Sequence, residues 1–143
     1  MNSVAQQGIY DILTETNTRQ GWSIPPYVID YECRILAERM NKNPWQPEPS
    51  YAERYLAATR PSELLELGNL CWFTRAVFPE LGVRRGIKSS YYVDLGQSCY
   101  SRVLDYSRIP AVEVMCRHFE FCAEAVLTAI RHNGEFRSMW DFE

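Results

Sequence analysis

A seven-residue pattern occurs twice in this chain, and each copy puts a glycine inside a stretch of helical spacing. Residues 66–72 read Glu-Leu-Gly-Asn-Leu-Cys-Trp and residues 94–100 read Asp-Leu-Gly-Gln-Ser-Cys-Tyr. Both are acid, Leu, Gly, amide, any residue, Cys, aromatic. A glycine in a helix interior costs about 1 kcal/mol relative to alanine. Two of them at matching positions, Gly68 and Gly96, therefore mark a place where a second backbone or a ring comes close. Leu and Cys are four apart in each copy, as are Gly and the aromatic, so each pair shares a helix face. The pattern predicts two helices that cross at their glycines, and its first meaning is packing. Its functional meaning is a pocket at the Gly68/Gly96 crossing. Trp72, Tyr92 and Tyr100 would wall that pocket, with Glu66, Asn69, Asp94 and Gln97 as polar contacts.

The remaining sequence is also written in helical period. Residues 1–20 read as a weakly structured N-terminus: Ile9, Ile12 and Leu13 make one apolar turn, and residues 14–21 form a polar loop. Residues 23–40 are the first firm helix, started by Ser23 and the Pro25-Pro26 pair and striped by Val28, Ile29, Tyr31, Ile35, Leu36 and Met40. Residues 41–49, with Pro44, Pro47 and Pro49 around Trp45, predict a rigid extended connection. Ser50-Tyr-Ala-Glu53 has the form of a capping box and opens a short helix to about residue 58. Pro61 starts a helix that stops before Pro79, and residues 80–89 form a connector with Gly82 and Gly86. Ser90 reads as the N-cap of a helix to about residue 106. Ile109-Pro110 opens one long last helix, striped by Val112, Met115, Phe119, Cys122, Val126 and Ile130. Asn133-Gly134 reads as its stop, because both residues accept the left-handed conformation. The tail, residues 135–143, carries Phe136, Met139, Trp140 and Phe142 and docks on the core or on a partner. No run alternates with period two for long enough to make a strand. The expected fold is all-α: one domain spanning residues 1–143, four to five main helices, and a central antiparallel helical hairpin made of the two pattern-bearing helices.

Charge and chemistry exclude several function classes. A net charge of −3 gives no general attraction to nucleic acid or to an anionic membrane. Neither a Walker-type phosphate loop nor a dinucleotide fingerprint is present. Residues 1–7 lack the basic and apolar regions of a signal peptide, and no apolar run is long enough to span a bilayer. A soluble, cytoplasmic protein is expected. Five cysteines without an export signal read as reduced thiols packed as small hydrophobes. Cys116, His118 and Cys122 lie close in sequence, but a zinc site needs three or four converging ligands, so neither metal nor cofactor is expected. No flanking motif makes a Cys-His nucleophile of them. The acids Glu63, Glu113, Glu120 and Glu124 read as solvated faces or as partners of arginines such as Arg117. Arg84, Arg85 and Lys88 precede a helix N-terminus and are candidates for holding an anion; otherwise they are solvated loop charges.

The string Leu67-Gly-Asn, Trp72-Phe, Phe78-Pro-Glu80, Arg84-Arg-Gly86, Tyr91-Tyr-Val-Asp-Leu-Gly96 and Tyr100 is similar to small bacterial helical proteins of no established activity. In that set a Leu-Gly, Phe-Pro and Tyr-Tyr-x-x-Leu-Gly order recurs. The resemblance covers residues 61–106, about a third of the chain. It implies that this stretch is one unit and assigns no catalytic residue. The nine Tyr and four Trp fit an interface. The leading expectation is a protein-interaction or regulatory module that binds itself, as a homodimer, or another protein. The alternative is a small-ligand-binding protein or an enzyme with its pocket at the glycine crossing. A metal or redox protein using Cys116, His118 and Cys122 is the third reading.

Overall fold

A computed structural model describes residues 4–40 and 50–140; the connection expected at residues 41–49 and Phe142 of the tail lie outside the described residues. Among the described residues, which are mostly helical, eight α-helices follow in order: α1 (Val4–Arg19), α2 (Pro26–Glu38), α3 (Tyr51–Ala57), α4 (Pro61–Val77), α5 (Ser89–Leu104), α6 (Pro110–Arg117), α7 (Phe119–Arg131) and α8 (Gly134–Ser138). A single turn of 3-10 helix, Val83–Arg85, lies between α4 and α5. No strand occurs among the described residues. The count exceeds the expected four to five for three reasons: α1 forms, the last long helix breaks in two, and the tail adds α8.

α4 is the central element. Leu64, Leu67, Leu70, Cys71, Trp72, Phe73 and Ala76 are all buried, so the helix is apolar nearly all round rather than along one stripe. It packs on α2, α3, α5 and α7. Its closest partner is α5, and the glycines are the reason. A Cβ on Gly68 would lie 2.7 Å from Tyr100 Cε1 and 3.2 Å from Cys99 Cβ. A Cβ on Gly96 would lie 2.5 Å from Phe119 Cε2 and 3.1 Å from Cys71 Cβ. Each glycine of one copy therefore faces the cysteine of the other, and the two copies interlock.

Several starts and stops follow local chemistry. Ser50 and Glu53 form the expected capping box at α3, and Pro26 and Pro61 open α2 and α4. Other boundaries differ from expectation. Val4–Arg19 is a helix, not a weakly structured lead-in and loop. It buries only Ile9, Leu13 and Thr16, and it contacts α2 and α7. Packing of that narrow face stabilises it, where intrinsic periodicity does not. α5 starts at Ser89 with Lys88 at the N-cap position, so Ser90 lies inside the first turn. Asn133 is not a left-handed stop: its backbone is extended and its side chain accepts from Phe136 N–H, which makes it the N-cap of α8.

The last long helix breaks at His118, whose φ of −118° and ψ of 38° leave the helical region. In an unbroken helix the Cys116 carbonyl would accept from the amide of residue 120. Here Gln97 Nε2 donates to it at 3.0 Å, so a side chain from α5 occupies the acceptor. The break directs Phe119 onto Gly96.

Candidate functional site

The residues singled out by the repeated pattern separate into packing and surface groups. Tyr100, Trp72 and Tyr92 are fully buried, and the Tyr100 and Phe119 rings fill the space beside the glycines. The amides are structural ties. Asn69 Oδ1 accepts from Tyr100 Oη at 2.8 Å and from Tyr31 Oη at 3.1 Å, joining α5 and α2 to α4. Gln97 holds the α6 end, as above. Tyr92 Oη donates to the Leu81 carbonyl at 2.8 Å and secures the connector between α4 and α5. The acids, by contrast, point outward. Glu66 is exposed on a cleft of about 240 Å³ shared with Glu53, Arg54 and Glu63. Asp94 is exposed on another, of about 560 Å³, shared with Tyr55, Ser98 and Arg102. α3 contributes to both clefts, so the two acids do not meet across a pocket.

The other candidates are also dispersed. Arg84, Arg85 and Lys88 are exposed around the 3-10 turn and the start of α5. Among the described residues no group of three or more His, Cys, Asp or Glu has metal-holding geometry. All five cysteines are free. Burial pushes the Cys99 and Cys122 thiols up to about 12 and raises Cys33, Cys71 and Cys116 as well, which removes thiolate character at neutral pH. Glu120 and Glu124 are not paired with Arg117; both reach Arg75, a buried arginine of α4.

A more promising arrangement lies where the α1–α2 loop meets the α6–α7 junction. Ile24 and Pro25 from the loop, Val114 from α6, and Phe121 and Cys122 from α7 line an open, mostly apolar cleft of about 350 Å³. Ser23 and His118 supply its polar groups. Phe121 is 46% exposed, and its ring meets the edge of Trp22 at 5.6 Å. The loop is held in shape by Gly21, at φ +72°, and by Asn17, whose amide donates to the Ile24 carbonyl and accepts from the Ile24 N–H. The break at His118 also shapes the cleft, because Val114 and Phe121 belong to different helices.

Behind Ile24 is a void of about 10 Å³ bounded by Thr16, Asn17, Trp22, Ile29 and Glu32, among others. Glu32 is only 2% exposed, and its Oε2 has no hydrogen-bond partner among the described residues. Burial holds this carboxyl well above the ordinary carboxylate range, which favours its protonated form. Sequence reading missed it. The available signal was position: Glu32 stands four residues after Val28 and four before Leu36, on the apolar stripe of α2.

A pH dependence follows. The unfolded chain releases the Glu32 proton near 4.5, whereas the folded protein retains it to much higher pH. The stability that the neutral carboxyl permits is complete below about 4.5 and declines as pH rises toward the folded-state value. Urea unfolding across this range should show the wild type losing stability with pH relative to Glu32→Gln. A flat difference between the two would contradict a buried, protonated Glu32.

Comparison with known protein families, curated proteins and solved structures finds no match to this chain.

Proposed function

We propose that this protein acts by binding, without catalysis, and that its site is the apolar cleft between the α1–α2 loop and the α6–α7 junction. The observation that carries this reading is the cleft itself: about 350 Å³, preformed, apolar, with Ser23 and His118 as the polar groups. Small-ligand sites commonly occupy roughly 300–1,000 Å³ with this kind of lining. A pocket at the Gly68/Gly96 crossing has less support, since rings occupy that space. In the same reading α4 and α5 form an antiparallel hairpin: residue 68 meets 99 and 100, while 71 meets 96. A cytoplasmic setting is supported by five free, largely buried thiols.

Self-association is the second reading. Half-exposed Phe121 favours it, because a second copy seated on the cleft would cover that ring. The two readings separate in one set of measurements. Ethylbenzene should raise the melting temperature of the wild type and leave Phe121→Asp unmoved, with circular dichroism confirming that the variant is folded. A melting temperature unaffected by ethylbenzene would reject the ligand reading. Light scattering tests the second: a dimer converted to monomer by Phe121→Asp supports it, and a wild type that is strictly monomeric rejects it.

A further inference from the structure

We infer that Glu32 is the polar end of this cleft, and that the site selects a small apolar alcohol, with its hydrocarbon in the cleft and its hydroxyl on the Glu32 carboxyl behind Ile24. The inference rests on the cleft reading and adds the ligand's chemical class.

Two observations connect the two spaces. Ile24 is a wall of both the cleft and the inner void. Trp22 lines the void and packs against Phe121 of the cleft. Ile24 is thus the partition between void and cleft; in this assignment its side chain turns aside to admit the ligand, while the Asn17 clamp on its backbone holds the loop in place.

Of the groups lining the void, Glu32 has the buried polar atom without a hydrogen-bond partner among the described residues. Thr16 Oγ1 already donates to the Ile12 carbonyl, and the Asn17 amide is engaged with Ile24. An unpartnered buried carboxyl is costly to keep, and a ligand that pairs with it recovers that cost. Size and chemistry then narrow the ligand. A void of about 10 Å³ is close to the space that one oxygen atom requires. A protonated carboxyl is both donor and acceptor, and so is a hydroxyl, which presents both functions on one heavy atom. An ammonium group would force an ion pair into an apolar site, where desolvation offsets the attraction. A carboxylate ligand would bring a charge to a lining that holds no Lys or Arg among the described residues.

Calorimetric titration with 2-phenylethanol, ethylbenzene and 2-phenylethylamine at neutral pH tests the assignment. The wild type should bind the alcohol about tenfold more tightly than the hydrocarbon, the increment of one well-made buried hydrogen bond. Glu32→Gln, which still offers a donor and an acceptor, should keep the preference. Glu32→Leu should bind both equally while retaining ethylbenzene affinity, which also shows that the variant is folded. Equal binding of alcohol and hydrocarbon by the wild type would overturn the inference and leave the cleft reading intact. So would a preference that survives Glu32→Leu, and so would tighter binding of the amine than of the alcohol. Failure of all three probes to bind would remove both.

Discussion

Replacement of Trp140 by alanine is expected to destabilise the protein by ~3–5 kcal/mol, the range for removing a buried large aromatic side chain. Trp140 is the last described residue, yet it is fully buried. Its ring lies edge-on to Phe136 at 4.9 Å, and its Nε1 donates to the Leu36 carbonyl at 3.0 Å. That carbonyl belongs to the last turn of α2, where it also accepts from the Arg39 N–H at 3.3 Å. Trp140 thus ties the C-terminal segment to an element a hundred residues earlier. Trp140→Phe should separate the two contributions, keeping much of the ring and losing about 1 kcal/mol with the hydrogen bond. Urea unfolding followed by circular dichroism measures both. A loss below about 1 kcal/mol for the alanine variant would mean that the tail is not integral to the core. The tail aromatics Phe136 and Trp140 are therefore core residues, not free groups for a partner, which weakens the aromatic-interface expectation.

Gly96→Val should cost ~3 kcal/mol or more, at the upper end for overpacking. The first added carbon would already stand 2.5 Å from Phe119 Cε2 and 3.1 Å from Cys71 Cβ. The Phe119 ring has no room to retreat, because it is fully buried with the Tyr100 ring 5.8 Å away. Combining Gly96→Val with Phe119→Leu should recover part of the loss, and the non-additivity measures the contact directly. Gly8→Ala is the control. Nothing lies within 4 Å of a Cβ at that position in α1, so helix propensity alone acts and stability should rise by up to ~1 kcal/mol. If Gly96→Val behaved like Gly8→Ala, the tight crossing would be refuted.

These variants show how much was readable in advance. The glycine pattern announced a close helix contact, and the structure places a cysteine and a ring against each glycine. The same pattern suggested a pocket, because acid, amide and aromatic recur beside the glycine. Tertiary packing assigned them differently: rings inward as filling, amides as ties between helices, acids outward. Helical period alone cannot separate a ring that walls a pocket from a ring that occupies it. Glu32 shows the converse. An acid on an apolar stripe reads as a tolerated exception until its surroundings are known, and α1, the α1–α2 loop and α7 together close the space around it.

The sequence by itself determined the helical class, the proline and capping-box starts, the faces that bury, and the crossing at Gly68 and Gly96. These depend on contacts within a few residues or on side-chain volume, and both are written locally. Tertiary structure alone decided the helix at Val4–Arg19, the break at His118, the burial of Trp140 and the cleft with Glu32 behind it. Each of these depends on a partner distant in the chain: a narrow apolar face finding α2 and α7, a Gln97 amide taking the Cys116 carbonyl, an indole reaching Leu36. Such contacts become favourable only after the core has assembled, so no local pattern encodes them.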